Sequence, residues 1–155
     1  MNKLYVYSVF IFLGCFQLKS NQCTAQEKMY KNFEREKYEM HVFKPMKNTD
    51  PIKITGVKSG EVMLSFKEHF SDSVVTIING NLLREDFVQS DSLNLGLSNI
   101  SFKISVNNKT EILFLLPQIR KYVKFNIDNK YKLVKIFRIG ESWKLIKTNY
   151  VPEYQ

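Results

Sequence analysis

The chain has 155 residues, which is room for one domain of ordinary size. Its hydrophobic content of 44% and aromatic content of 14% exclude disorder throughout, because that much apolar surface can fill a core. The formal net charge is +8, and the excess lies late in the chain. Residues 26–100 include 10 basic and 11 acidic residues, whereas residues 101–147 include 11 basic and 3 acidic residues. This basic region is expected either to keep the protein soluble or to attract an anionic partner.

The first 25 residues have the pattern of a secretory signal. Lys3 precedes an apolar stretch from Leu4 to Phe16, and a polar segment then leads to Cys23-Thr24-Ala25. Small residues therefore stand at −3 and −1 of a cut after Ala25. The apolar stretch is shorter than the roughly 20 residues that a transmembrane helix needs. We predict export to the periplasm or the extracellular medium.

A second processing site competes with the first. Phe12-Leu13-Gly14-Cys15 resembles a bacterial lipobox, which implies acylation of Cys15, although Phe12 and Leu13 depart from the preferred leucine at −3 and small residue at −2. The alternative location is therefore a membrane-anchored lipoprotein, and contact with a membrane is expected only in that case. Both cysteines lie in the leader, so the folded part is predicted to have no disulfide and no cysteine-based metal site.

The remainder is predicted to be a lead-in, residues 26–44, and one domain, residues 45–155. The lead-in is expected to be disordered or helical and to pass into a first strand near residues 37–43. Turn residues such as Asn79-Gly80-Asn81 then separate short strand candidates. The candidates are residues 52–55, 61–68, 74–79, 82–89, 100–106, 111–116, 120–127, 131–139 and 143–151. This spacing predicts an all-β fold, a small β-sandwich that is Ig-like or related, with seven to nine strands. Alternation of apolar and polar residues over 100–106 predicts one buried face.

The last three candidate strands allow a prediction of register. A three-residue loop at Asp128-Asn129-Lys130 is expected to pair the strands on either side of it, and a loop at Gly140-Glu141-Ser142 is expected to set Ile139 opposite Trp143. Arg120, Arg138 and Lys144 then form a basic row on the other face. Because like charges repel across strands, the row is either a solvated surface or a site for an anionic ligand. These three residues are the candidate binding site.

No motif in the sequence indicates catalysis or a cofactor. The histidines, His41 and His69, lack the spacing of a helical zinc site, and we predict no catalytic residue, no metal and no cofactor. Ser71-Asp72-Ser73 and Ser90-Asp91-Ser92 are interpreted as Asx-turns at strand starts. Nucleic acid is not expected as a partner, because the aromatics between residues 120 and 150 are first of all core residues of a sheet.

The segment Thr24–Lys28, the Asn79-Gly80-Asn81 turn and the C-terminal strand repeats resemble features of small, uncharacterised exported β-sandwich proteins of Bacteroidetes-type bacteria. The resemblance implies no activity. We expect a non-enzymatic binding or interaction module of the cell envelope, whose partner is an anionic envelope polymer, a lipid surface or an envelope protein. The alternatives are a small envelope hydrolase acting on glycan or peptide and a purely structural subunit.

Overall fold

The protein is an all-β sandwich, as the sequence predicts. A computed structural model describes residues 30–45, 52–68, 70–90, 98 and 100–150. The leader, with the predicted cut after Ala25 and the lipobox at Cys15, lies outside the described residues, as does His69. The described part holds ten strands, more than the seven to nine predicted. They are β1 (Glu34–Arg35), β2 (Lys37–Val42), β3 (Glu61–Phe66), β4 (Ser71–Ile78), β5 (Asn81–Gln89), β6 (Ser101–Ser105), β7 (Thr110–Leu116), β8 (Lys121–Ile127), β9 (Leu133–Ile139) and β10 (Ser142–Thr148).

The strands form two mixed sheets of five. The first sheet has the order β1-β8-β7-β4-β5, and the second has the order β2-β10-β9-β3-β6. All ten strands belong to one compact unit, Glu34–Gln155; of the other unit, Met1–Phe33, the structure describes the turn from Tyr30 to Phe33. Parallel pairing joins β1 to β8, β2 to β10 and β3 to β9, and the other pairings are antiparallel.

The β4–β5 hairpin follows from its turn sequence. Asn79 and Gly80 have φ angles of 48° and 78°, and Ile78 pairs with Asn81 across them. Positive φ at both central residues is the type I′ turn, whose twist matches that of the flanking strands and which favours Asn-Gly. The side chain of Asn79 also accepts a hydrogen bond from the backbone N–H of Glu111, at 2.9 Å, and this fixes the hairpin against β7.

The core lies between the two sheets and is rich in aromatic rings. Phe114 is at its centre, with ring centroids 5.1 Å from Phe66, 5.5 Å from Phe125 and 5.7 Å from Trp143. Each of these four side chains is 1% exposed or less. Strand β6 has the predicted alternation, since Ile104 is buried and its neighbours in the strand are exposed. The central strand β7 is instead buried on both faces, because Leu113 and Leu115 are also buried although they alternate with Phe114.

Three sequence predictions of local structure are corrected. Residues 52–55 do not form a strand, and only Lys53 makes an isolated bridge, to Tyr150. Strands β8 and β9 do not form a hairpin across the loop at residues 128–130, because they lie in different sheets. Asp72 is inside β4 and not in a turn before it. The predicted first strand near residues 37–43 is β2, and the short strand β1 precedes it.

Candidate functional site

The three residues of the predicted basic row lie in three different surroundings. Arg120 is exposed in the turn between β7 and β8, with a φ of 53°. Lys144 is exposed on β10, opposite Phe137. Arg138 is opposite Trp143, because the β9–β10 turn has two residues, Gly140 and Glu141, where the sequence analysis placed three. This one-residue difference turns Arg138 to the core side of its sheet, so the predicted register is wrong and the row across three strands is not formed.

Arg138 belongs to an inter-sheet ionic cluster, which we define as Glu36, Asp72, Lys121, Arg138 and Glu141 with the indole of Trp143. Glu36 connects β1 of the first sheet to β2 of the second, and its side chain is 2% exposed. Arg138 donates to both Glu36 carboxylate oxygens, from Nη2 at 2.9 Å and from Nε at 3.2 Å. Trp143 Nε1 donates to Oε2 at 2.5 Å, and Lys121 Nζ is 3.7 Å from Oε1.

The outer part of the cluster adds two more carboxylates. Arg138 Nη1 is 3.4 Å from Asp72 on β4, and Lys121 forms an ion pair with Glu141 in the β9–β10 turn. The hydrogen bond to Glu36 raises the pKa of the Arg138 guanidinium. The hydrogen bond between Lys121 and Glu141 raises the pKa of the lysine and lowers the pKa of the carboxyl. These shifts favour the ionised forms of Arg138, Lys121 and Glu141.

The ionic cluster has a structural role. Both oxygens of Glu36 accept hydrogen bonds from donors of the chain itself, and the carboxylate has almost no exposed surface. Its partners come from β8, β9 and β10, so the cluster connects both sheets where the chain crosses between them. A buried charge costs free energy unless it is paired and hydrogen-bonded, and here those conditions are met. We assign the cluster to the joining of the sheets and not to binding.

A second candidate site is the exposed edge strand β5. It is the end strand of the first sheet, nine residues long, and its one described neighbour is β4. Three of its large apolar side chains are exposed: Leu82 to 64%, Leu83 to 48% and Phe87 to 55%. The β4–β5 register shifts between Thr76 and Ile77, so that Leu83 is an extra residue in a β-bulge. An exposed edge with apolar side chains is a surface on which another strand can pair.

Beside this edge lies a shallow groove of about 290 Å³, which runs between the end strands of the two sheets. Its lining comes from β5 and β6: Leu83, Arg84, Glu85, Asp86, Phe102 and Lys103. Arg84 donates from Nε and Nη2 to the two Asp86 oxygens, each at 2.5 Å, and its guanidinium carbon lies 4.4 Å from the centroid of the Phe102 ring. The cation–π contact of Arg84 with Phe102 thus connects the edges of the two sheets, whereas its ion pair with Asp86 lies within β5.

The remaining candidates form no site in the described part of the chain. His41 is exposed on β2, where its ring nitrogen lies 3.2 Å from the exposed carboxylate of Glu39. Over the described ranges, no three His, Cys, Asp or Glu residues are grouped so that they could hold a metal ion. The same residues include no helix with the length and apolar character that crossing a membrane requires.

Sequence reasoning missed both Glu36 and the β5 edge. Glu36 gives no local signal, since its partners Arg138 and Trp143 stand 102 and 107 residues further along the chain. The edge does leave a signal in the sequence. Arg84-Glu85-Asp86 places three consecutive charges in the middle of a strand candidate, which a central strand rarely tolerates and edge strands often have. That run identifies β5 as an end strand.

Comparison of the chain with protein-family models, with curated proteins and with solved structures found no match, so the residues and geometry described above are the basis for assigning a function.

Proposed function

We propose that this protein is an exported, non-enzymatic interaction module of the cell envelope, and that it binds an extended polypeptide segment along the edge of β5 that pairs with no other described strand. The observation that carries the proposal is the exposure of Leu82, Leu83 and Phe87 on a nine-residue edge strand. The leader sequence supports the exported location, because residues 1–25 follow the order of a secretory signal.

The physical basis is strand addition. An edge strand has backbone N–H and C=O groups directed away from its sheet, and an incoming extended segment can satisfy them with a new ladder of hydrogen bonds. Side chains of the incoming segment then meet the apolar side chains of β5, whose burial contributes roughly 25 cal/mol for each Å² removed from water. The backbone supplies affinity, and the neighbouring groove at Arg84 and Phe102 supplies selectivity.

A polypeptide partner agrees better with the charges than an anionic polymer does. Arg138, the middle residue of the predicted basic row, is paired with Glu36 and Asp72. At the β5 edge, Arg84 is balanced by Asp86, and Glu85 adds a negative charge. An anion approaching this edge therefore meets no excess of positive charge among these three residues.

Site-specific photocrosslinking in the native host tests this proposal. The photoreactive residue p-benzoylphenylalanine replaces Phe87 in one variant and Ile139 in another, two positions with nearly equal exposure of 55% and 57%. Ile139 ends β9 in the second sheet and serves as the matched control. We expect a discrete crosslinked adduct from position 87 and none from position 139. Absence of an adduct at 87, or the same adducts from both positions, contradicts the proposal.

A further inference from the structure

We propose that the segment bound along β5 is β5 of a second copy of this chain, paired antiparallel about a two-fold axis at Glu85. This inference rests on the proposed function of the β5 edge and names its partner. A two-fold axis is the commonest symmetry of soluble protein dimers, and it brings the same surface of both copies together. In such a pair, each residue before the centre of β5 lies opposite a residue after the centre in the second copy. The two residues of each pair must therefore have compatible side chains.

The sequence of β5 meets that condition. In an antiparallel pair centred on Glu85, residues at equal distances before and after the centre lie opposite each other. Arg84 then faces Asp86 of the second copy, which pairs opposite charges. Leu83 faces Phe87, which pairs apolar side chains. Each of these pairs occurs twice in the dimer.

The geometry of Arg84 suits a second acceptor. Its Nε and Nη2 atoms donate to Asp86 of the same chain, and its side chain is 37% exposed. Because a guanidinium has five N–H donors in a planar fork, it can bind one carboxylate in its own chain and donate to another across the axis. Asp86 has four lone pairs to share between its own Arg84 and that of the second copy.

The apolar side chains of the edge are also placed for this pairing. The bulge at Leu83 leaves two exposed leucines, Leu82 and Leu83, where a regular strand has one residue. Phe87 of the second copy packs on this pair of leucines. In this arrangement all three exposed apolar side chains of each β5 strand are in contact with the second copy.

One contact in the proposed dimer is repulsive, and removing it should strengthen self-association by a measurable amount. The two Glu85 carboxylates face each other at the axis, and directly opposed like charges destabilise a strand pair by a few tenths of a kcal/mol. Replacing Glu85 by glutamine removes this repulsion, so we expect E85Q to tighten self-association by roughly two- to threefold. Sedimentation equilibrium on the two full chains measures the difference.

Disulfide trapping tests the register. E85C, F87C and L83C are made in a full chain that carries C15S and C23S, so that each introduced cysteine is the only thiol. Position 85 faces itself across the axis, whereas position 87 faces position 83. Under mild oxidation we expect E85C to give a linked dimer, F87C alone to give none, and an equal mixture of F87C and L83C to give one. Equal linking of E85C and F87C, or no linking of E85C, overturns the inference.

A mixture of charge variants tests contact between chains separately from contact within a chain. R84E and D86K each place like charges at positions 84 and 86, both within one chain and across its own dimer. In a mixed dimer, the two acidic residues of R84E face the two basic residues of D86K across the axis. Each chain still has like charges at its own positions 84 and 86. We expect each variant alone to lose self-association at least about tenfold and the mixture to form the mixed dimer. A β-type circular dichroism spectrum for each variant confirms folding.

The outcomes separate this inference from the proposed function. A photocrosslinked adduct at position 87 with twice the mass of one chain supports both. An adduct of another mass, with E85C failing to link, overturns the second copy as the partner and leaves the β5 edge as the binding surface. No adduct at position 87 overturns the proposed function itself.

Discussion

Replacing Glu36 by glutamine is expected to lower the free energy of unfolding by about 3 to 5 kcal/mol, because it removes the one carboxylate that balances the buried end of the ionic cluster. Arg138 loses the negative charge of the carboxylate to which it donates two hydrogen bonds. Lys121 loses its ion pair with Glu36 Oε1. Denaturation by urea, followed through the fluorescence of Trp143, the only tryptophan in the chain, measures the change.

Glu39 is the matched control for Glu36. It stands three residues later, on β2, but its side chain is 73% exposed, and E39Q should change the free energy of unfolding by less than about 0.5 kcal/mol. Combining E36Q with R138M removes both charges of the central pair, so the double variant should be less destabilised than the sum of the two single changes. If E36Q unfolds at nearly the same urea concentration as the parent protein, the cluster does not join the sheets.

Truncation of Phe114 to alanine is expected to cost about 3 to 5 kcal/mol, through lost burial and the cavity that remains. Phe114 has no exposed surface and contacts three other aromatic rings, Phe66, Phe125 and Trp143. Strand β7 is the central strand of its sheet, so the surrounding backbone is held on both sides and can collapse only partly into the cavity. Thermal and urea denaturation measure the loss.

Phe87 is the control for this prediction, because it is the same residue type on the same sheet with half of its surface exposed. F87A should change the free energy of unfolding by less than about 0.5 kcal/mol. The comparison is made at low protein concentration, since association through β5 adds to apparent stability by mass action. Equal destabilisation by F114A and F87A is incompatible with a core centred on Phe114.

The fold class was predictable because several local signals agree. The Asn79-Gly80-Asn81 segment indicated a turn between two strand candidates, and the alternation over residues 100–106 indicated a strand with one buried face. These signals depend on residues close together in sequence, and both are present in the structure as β4–β5 and β6. They carry no information about which strands share a sheet.

The error at β8 and β9 has that cause. Phe125 on β8 and Val134 on β9 both belong to the core. A strand with one buried face shows the same alternation of apolar and polar residues whether its partner is a neighbour in the same sheet or a strand of the opposite sheet. The alternation therefore could not distinguish these two arrangements. Consecutive strands are neighbours in only about two-thirds of cases.

The error at β9 and β10 has a different cause. The predicted three-residue loop set Ile139 opposite Trp143 so that apolar residues share one face, and this left Arg138 on the other face. In the structure Arg138 is on the core side, where an unpaired charge is very costly. Glu36 removes that cost from a position 102 residues earlier in the chain. The residues directly beside Arg138 in the sequence do not compensate for burying its charge. The compensating residue, Glu36, is distant in the chain, and a single sequence does not indicate that pairing.

Hydrogen–deuterium exchange in envelope preparations from the native host tests most directly whether the β5 edge is the binding surface. The exchange of backbone amides is compared between the protein in the envelope and the same protein purified and diluted. We expect slower exchange in the envelope for residues 81–89, and unchanged exchange for the edge strand β2 of the second sheet. Equal exchange of β5 in the two preparations, or new protection at β2 instead, contradicts the account.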